Sequence, residues 1–225
     1  MTLLPIELSG RTYRGALHVH TTCSDGSLSP EECSNRYRAL GFDFIFITDH
    51  NVWNEHSHLS DPNFKVFSAM EISCRGAREH VLALGVREAK KIRETQEAID
   101  WVNEVGGVPV LCHPHWTRMA LHRALELQDY PLIEVWIGHS ERELGANNVH
   151  FWDLLLQQGK RVYGIADDDS HDVHDYELGF VEVWGNELNE PSILRALREG
   201  RFYASSGPKI DTIRWTKNGV YVKAK

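Results

Sequence analysis

Short apolar runs bounded by turn residues alternate along the chain with longer amphipathic stretches. The apolar runs predict buried strands, and the stretches with a helical spacing of apolar residues predict helices. We predict strands at residues 13–19, 42–48, 65–69, 79–86, 108–112, 132–136, 161–166 and 179–183. We predict helices at residues 29–40, 89–104, 118–127, 149–158 and 191–198.

The repeated order of strand and helix defines the expected fold class. Such alternation predicts an α/β fold with a mostly parallel sheet, and about seven strand–helix units favour a closed barrel over an open sheet. After the last helix, "KIDTIRWTKNGVYVKAK" places an Asn218-Gly219 turn between two alternating segments, which predicts a C-terminal β-hairpin packed on the barrel. No low-complexity segment or linker interrupts residues 1–225, so we expect a single domain.

The composition narrows the class of protein. A formal net charge of −8 argues against general binding to a nucleic-acid backbone, which requires a basic surface. The four cysteines form no CxxC pair, and no uncharged apolar run approaches the length of a membrane span. The first residues, "MTLLPIELSGR", lack the basic start and long apolar core of a signal peptide. We therefore expect a cytoplasmic protein with no membrane partner.

Imidazole and carboxylate side chains follow five of the predicted strands. They are His18 and His20, Asp49 and His50, Glu71, His113 and His115, and finally Asp167, Asp168, Asp169 and His171. In a parallel α/β barrel the C-terminal ends of the strands meet at one rim, where catalytic groups gather. Each motif alone is compatible with surface or core residues. Together they favour a site for Zn, Mn or Fe(II), since these ions accept this mixture of ligands.

Other sources of a nucleophile are missing from the sequence. It contains no HExxH zinc motif, no GxxxxGKS phosphate loop and no GxSxG nucleophile motif. A water molecule activated by metal is therefore the remaining nucleophile.

The same segments carry a family resemblance. In chain order, "LHVHTTCSDG", "FITDHN", "AMEIS", "HVLALG", "CHPHW" and "DDDSH" resemble the successive motifs of the PHP (polymerase and histidinol phosphatase) family. "GRFYASSGP", at residues 200–208, resembles a C-terminal signature of its small stand-alone members. The resemblance implies a distorted (β/α)7 barrel that holds two or three metal ions and hydrolyses phosphoesters.

The resemblance also assigns metal ligands. It implies that His18, His20, Glu71 and Asp169 hold one ion, that Glu71 bridges to a second ion on His80 and His113, and that Asp25, His50 and His171 hold a third. Asp25 stands where some members have histidine, so the expected cofactors are two or three divalent ions (Mn, Zn or Fe). His115 stands where relatives often carry an aromatic residue, and we do not expect it to be a ligand.

Four residues are candidates for direct roles in catalysis. Asp169 and His171 are placed to orient water or to shuttle a proton. Arg118 directly follows the "HPHW" loop and is the best candidate for a guanidinium contact with phosphate, with surface charge as the alternative. His139 follows a predicted strand on the same side and is a candidate proton donor, with a structural role as the alternative.

Two further groups lie near the motifs. Arg75 and Arg78, shortly after Glu71, are also candidate phosphate contacts or surface charges. Trp53, Trp116 and Trp136 lie in loops or at strand ends, where packing in the core or at the rim competes with stacking on a substrate ring.

These observations support three functions. The first is a metal-dependent phosphoesterase acting on a small phosphomonoester or on a nucleotide or oligonucleotide phosphate, because a cationic metal cluster favours anionic substrates. The second is a carbamate or ester hydrolase that uses the same metal site. The third is a non-catalytic structural metal-binding module, which would be indicated by missing ligands. We expect a small phosphorylated partner and no stable binding of nucleic acid, and the sequence leaves the oligomeric state open.

Overall fold

The structure is a computed structural model that describes residues 7–8, 11–76, 78–145, 147–216 and 219–224. Its strands are β1 (Glu7–Leu8), β2 (Thr12–Ala16), β3 (Phe44–Ile47), β4 (Lys65–Cys74), β5 (Glu79–Leu84), β6 (Val108–Leu111), β7 (Leu132–Ile137), β8 (Tyr163–Asp167), β9 (Phe180–Trp184), β10 (Phe202–Ser205), β11 (Ile210–Thr216) and β12 (Gly219–Ala224). Its α-helices are α1 (Pro30–Ala39), α2 (Thr95–Glu104), α3 (Leu121–Glu126), α4 (Gly138–Leu144), α5 (Val149–Gln157) and α6 (Glu190–Arg198). A 3₁₀ turn covers Ser57–Leu59.

Nine strands form one sheet in the order β10-β9-β2-β3-β4-β5-β6-β7-β8. Neighbours pair in parallel except at β5 and β9, each of which is antiparallel to both of its neighbours. The other seven strands of this sheet therefore run in one direction. The sheet curls until β8 lies beside β9 and β10, which nearly closes it. The predicted distorted (β/α)7 barrel is confirmed, with β5 and β9 as the two antiparallel strands that distort it.

A smaller sheet joins β1, β11 and β12. In it, β11 and β12 are antiparallel, with Thr216 opposite Gly219, which confirms the predicted C-terminal hairpin. Asn218 of the predicted turn lies outside the described residues.

Alternation along β3 shows how the barrel is filled. All four residues of this "FIFI" strand are buried, and successive side chains of a strand point to opposite faces. Phe44 and Phe46 join a cluster with Val110, Ile165 and Val181 from three other strands. Ile45 and Ile47 belong instead to a cluster that includes Tyr37 of α1. A strand buried on both faces reads as a continuous apolar run, and this accounts for the sequence signal.

The helix α1 begins where its sequence predicts. Ser29 and Glu32 form a reciprocal capping box, and Pro30 occupies the first turn, where its missing N–H costs nothing. This helix returns the chain from β2 to the parallel strand β3.

Two predicted helices are too long. Residues 89–94 are not helical, because the Arg93 carbonyl accepts a hydrogen bond from the Arg75 N–H and Ile92 packs into the core cluster under α2. The helix predicted from residue 118 begins only at Leu121, because Arg118 adopts a left-handed conformation with φ of 54°. The short elements α4 and β10 were not predicted, since neither shows enough periodicity to stand out from a loop.

Among the described residues, no helix combines the length and the apolar character needed to cross a membrane.

Candidate metal centre

Five imidazole rings form a closed circle at the C-terminal end of the parallel strands. Adjacent ring centroids lie 4.9 Å apart for His18–His20, 4.7 Å for His20–His50, 5.2 Å for His50–His80, 5.0 Å for His80–His113 and 5.8 Å for His113–His18. The carboxylate of Glu71 lies inside this circle. A nitrogen of each ring is 2.7–3.3 Å from one of its two oxygens.

Three more candidate ligands complete the group on one side of the circle. Asp169 Oδ1 lies 3.3 Å from His18 Nε2 and 3.2 Å from His20 Nε2. The His171 ring stacks on His20 with centroids 4.2 Å apart. Asp25 Oδ2 is 3.6 Å from the Nε2 atoms of both His50 and His171. All nine residues that the family resemblance assigns as ligands therefore lie in one cluster, with Asp25 at its exposed edge.

Strand geometry explains how distant parts of the chain meet here. His18 and His20 follow β2, and the chain between them is held by a parallel bridge from Val19 to Ser170, beside Asp169. Glu71 is still within β4, opposite Leu82 of β5, so the antiparallel β5 brings His80 back beside Glu71. A second parallel bridge joins His50 to Glu71.

The backbone is strained at two candidate ligands. His113 and Asp169 have φ values of 23° and 49°, a region that side-chain-bearing residues seldom occupy. Such strain is typical of functional sites, where the surrounding structure holds it in place. Glycine is required at position 26, beside the same site, because a Cβ there would lie 2.5 Å from the carbonyl of His20.

Buried carboxylates crowd around the imidazole circle. Glu71, Glu134 and Asp167 are fully buried, and Asp169 is nearly so. Burying charges of one sign is costly unless opposite charges compensate them. No Lys or Arg is among the described buried residues near this group, so protonated imidazoles or metal ions must supply the positive charge.

The directions of the pKa shifts in the cluster agree with this need for positive charge. Burial lowers the pKa of His20, but the neighbouring carboxylates of Asp169 and Glu71 outweigh it and raise the pKa to about 9. The pKa values of His18 and His113 are also raised by neighbouring carboxylates against the effect of burial. Burial raises the pKa of Glu71, yet the surrounding rings hold it well below the usual range. Without metal, positive charge is therefore favoured on His18, His20 and His113.

Several atoms suit a metal better than they suit hydrogen bonds. Glu71 Oε2, Asp169 Oδ1, His80 Nε2 and His113 Nδ1 are buried and lack a hydrogen-bond partner among the described residues. Glu71 Oε2 nevertheless has ring nitrogens of three histidines 3.0–3.3 Å away. Carboxylate oxygens and ring nitrogens that converge without directed hydrogen bonds are in the arrangement expected of metal ligands. Carboxylate and imidazole donors suit Zn, Mn and Fe. The residues present therefore fit divalent ions.

Glu134 supports the ligands from behind. Its Oε1 lies 2.6 Å from His18 Nδ1 and its Oε2 accepts the His113 backbone N–H at 2.6 Å. With Glu134 as the acceptor, the His18 ring donates from Nδ1, and its Nε2 faces Glu71 and Asp169 in the cluster. Burial, followed by the charge of Glu134, raises the pKa of the adjacent Asp167 well above its usual range.

We expect Glu134→Gln to lower metal affinity about 10- to 100-fold, the range typical of residues that orient metal-binding histidines. The amide would place an N–H group against either His18 Nδ1–H or the His113 N–H. Metal titration monitored by calorimetry measures the effect. Glu182→Gln is the matched control, because Glu182 is also a buried strand glutamate but lies in β9, opposite Arg14 of β2. Equal affinities for the two variants would contradict the assigned role.

Two aspartates fix the loops that carry the ligands. Asp49 accepts hydrogen bonds from the Thr21 N–H at 2.8 Å and the Thr21 hydroxyl at 2.7 Å. Asp168 accepts the N–H groups of residues 177, 178 and 179 at 2.7–3.0 Å, together with the Tyr37 hydroxyl at 2.9 Å. Although they lie within the motifs, these aspartates hold the backbone and are not among the described groups that could share a metal.

The candidate residues outside the ligand set have different surroundings. His139 Nδ1 lies 3.1 Å from Asp175 Oδ2, and its ring is 4.9 Å from that of His171. The hydrogen bond to Asp175 is the main cause of the raised pKa of His139. Arg118 is exposed, with its backbone N–H bonded to the His115 carbonyl, and it has no described contact with the cluster.

The two other arginines and His115 also lie outside the circle. Arg75 is exposed and pairs with Glu79 at 3.4 Å and Glu94 at 3.5 Å. Arg78 and His115 are exposed. His115 is not among the described groups that could share a metal, as its departure from the family pattern implies.

Sequence reasoning missed Glu134 and Asp175. Glu134 is the single charged residue of "LIEVWI", a strand whose residues are mostly buried, and that isolation within an apolar run was a usable signal. Asp175 accepts the N–H groups of His171 and Asp172 at 2.9 and 3.0 Å, and no sequence signal separated it from a turn residue.

Comparisons with solved structures place this fold among known proteins. A two-domain protein from Bacteroides vulgatus, which contains a predicted PHP-like metal-dependent phosphoesterase, matches with a TM-score of 0.69 and 19% identity. The match covers 88% of this chain and 65% of that one, so the chain spans about two thirds of the two-domain protein.

Two further structures have the same fold. The lesion-specific endonuclease PfuEndoQ from Pyrococcus furiosus matches with a TM-score of 0.58 and 13% identity over 86% of this chain and 58% of that one. An amidohydrolase from Chromobacterium violaceum, solved with sulfate and without metal, matches with a TM-score of 0.56 and 16% identity over 84% and 97%. No protein-family model and no curated protein matches the sequence.

The fold is thus that of PHP-type proteins. The order of motifs from "LHVHTTCSDG" to "DDDSH" had indicated the same family, and the structural neighbours support that resemblance.

Proposed function

We propose that this protein is a metal-dependent phosphoesterase that hydrolyses a small phosphomonoester or a nucleotide or oligonucleotide phosphate. The observation that carries the proposal is the circle of five imidazoles around Glu71, with Asp169, His171 and Asp25 beside it. The neighbours named for phosphoesterase and endonuclease activity share the fold and lend support.

The nine clustered residues would hold two or three divalent ions, with Mn, Zn and Fe as candidates. When bound, such ions would supply Lewis-acid polarisation of phosphoryl oxygens and a water nucleophile at neutral pH. An anionic ester is the preferred substrate class, because the cluster collects positive charge whether as protons or as metal.

Residues of the chain would handle orientation and protons. His139 and His171 lie side by side at the exposed edge of the cluster, and Asp175 binds the ring of one and the backbone N–H of the other. His139 Nε2 is then the atom available to protonate a leaving oxygen, since Nδ1 is held by Asp175. Arg118 remains a proposed phosphate contact at the edge of the site.

A hydrolase that attacks carbon is the second candidate. It is favoured by the amidohydrolase from Chromobacterium violaceum, which has the same fold. A transition state that spreads negative charge over several phosphoryl oxygens gains more from a cationic cluster than one with a single oxyanion on carbon.

We expect Mn-loaded protein to prefer phosphorus over carbon by about 100-fold in kcat/KM, the order attributed to one preorganised charge-stabilising group. The test compares 4-nitrophenyl phosphate with the 4-nitrophenyl acetate and carbamate esters, which share a leaving group. Chelated protein, measured in parallel, provides the background rate. Higher kcat/KM for either carbonyl ester would overturn the phosphoesterase proposal in favour of the second candidate.

A further inference from the structure

A pocket of about 560 Å³ lies along the loop that directly follows His113, one of the candidate ligands. We call it the Trp116 pocket. It is lined by Pro114, His115, Trp116, Arg118, Met119, Leu144 and Phe151. Its volume lies within the range of small-molecule sites, which are largely apolar with a few polar groups. Here His115 and Arg118 supply the polar groups.

Apolar side chains are unusually exposed in this pocket. Trp116 is 46% exposed and Leu144 is 55% exposed, although each could bury a large apolar area. The sequence left packing in the core or at the rim as alternative roles for Trp116, and this exposure excludes the core.

Ring contacts connect the pocket to the candidate ligands. The Trp116 ring lies 5.7 Å from His139, and the His139 ring lies 4.9 Å from His171. Trp116 is also three residues after His113, which belongs to the imidazole circle. A molecule that places its ester at the metal centre can therefore extend directly along Trp116.

The loop that carries Trp116 is fixed before any ligand binds. The buried Asn148 side chain accepts the His115 N–H at 2.7 Å, and the Met119 N–H bonds to the Pro114 carbonyl at 2.8 Å. Arg118 closes the turn in a left-handed conformation, with φ of 54°. Preorganisation of this kind reduces the entropy lost on binding.

We propose that the Trp116 pocket binds a planar aromatic or heteroaromatic ring in the leaving group of the substrate, stacked against the indole. This inference rests on the proposed phosphoesterase function, because the ring must be attached to the ester that is cut. In that reaction water adds to phosphorus, the ester P–O bond breaks, and the departing oxygen takes up a proton, so the ring leaves as a neutral alcohol. A non-planar group of equal size would fill the pocket without stacking.

The matched substrates are 2-phenylethyl phosphate and 2-cyclohexylethyl phosphate. Both release a primary alcohol, so their leaving groups have similar basicity, and they differ in the planarity of the ring. We expect kcat/KM to be about 5- to 50-fold higher for the phenyl ester, in the range found when bases stack on protein aromatic residues.

Variants test the position of the ring. Trp116→Ala should reduce the phenyl preference to within about twofold of unity, and Trp116→Phe should retain part of it. Tyr221→Ala is the matched control, because Tyr221 is 53% exposed but lies on the C-terminal hairpin. The control should keep the full preference. An unchanged preference in Trp116→Ala, or none in the wild type, would overturn the inference.

A binding experiment separates this inference from the proposed function. Adenosine carries a planar ring but no phosphate, so its binding requires neither hydrolysis nor metal. We expect adenosine to quench the part of the tryptophan fluorescence that is lost in Trp116→Phe, and ribose to have no effect. Quenching without phosphoester hydrolysis would retain the ring site and reject the phosphoesterase. Hydrolysis without quenching and without a phenyl preference would do the reverse.

Discussion

Replacement of Glu71 by Gln should remove most of the bound metal and lower kcat by more than about 100-fold. The lower bound follows because even residues that only orient metal ligands typically contribute 10- to 100-fold. Glu71 contacts all five rings of the imidazole circle, and a Gln amide would turn an N–H group towards ring nitrogens that have to face metal. Asp169→Asn should act in the same direction, since Asp169 contacts both His18 and His20.

Elemental analysis of purified, metal-supplemented protein measures this loss together with activity. The wild type should carry two to three ions per chain, and Glu71→Gln one or none. Asp172→Asn is the control for Asp169→Asn, because Asp172 is a neighbouring aspartate whose carboxylate pairs with Arg142 at the surface. Circular dichroism establishes that each variant is folded. A folded Glu71→Gln protein with full metal content would refute the proposed centre.

The second large effect is that metal binding reverses the way in which the stability of the fold depends on pH. Histidines with raised pKa values stabilise the metal-free fold at low pH, and this contribution disappears as pH rises from the unfolded value of about 6.5 through the folded value. For His20 the folded pKa is about 9. Glu71 and Asp169 have lowered pKa values, so their contribution is present above about pH 4.5 and is lost on acidification. Metal-free protein should therefore be most stable near pH 4.5–6.5.

Metal requires neutral imidazoles, so its binding should release protons and strengthen as pH rises towards 9. Six of the nine proposed ligands are histidines. We expect metal content and activity to fall together between pH 7 and 5, and the gain in Tm on adding metal to grow from pH 6 to 9. Calorimetric titration in buffers of different ionisation enthalpy counts the released protons. A metal-independent Tm, or no proton release at pH 7, would contradict the histidine assignment. Adding metal to metal-depleted Asp169→Asn protein should raise its Tm much less than it raises the Tm of the wild type.

The parts of the fold that the sequence predicted are those dictated by local pattern. "FIFI" and "LIEVWI" signalled buried strands, and "SPEE" marked the start of α1, because each effect arises within a few residues. The predicted helix boundaries near Arg93 and Arg118 were wrong, because a hydrogen bond to Arg75 and a left-handed turn overrode the local helix propensity.

For the site as well, the sequence predicted what local pattern determines and missed what tertiary structure determines. The strand ends carrying His18, Glu71 and His113 were visible because barrel strands share one rim. The circle of rings was beyond reach, because it depends on the antiparallel insertion of β5 and on the strained backbone of His113. The lone charge in "LIEVWI" could have singled out Glu134 but not its partners, since His18 and His113 follow other strands.

The pairing of β2 has a consequence for how the chain is made. This strand lies between β3 and β9, so one of its edges has no partner until residues 180–184 leave the ribosome. Synthesis of the intervening chain takes roughly 10–30 s at ordinary rates of translation. During that interval the unpaired N–H and C=O groups of this strand edge are open to wrong partners, including other nascent chains. The metal ligands are made at similarly separated times, because His18 lies near the start of that interval and Asp169 lies near its end. Capture of metal thus requires the chain as far as His171, and newly made protein that retains metal through gel filtration has brought both ends of that interval together.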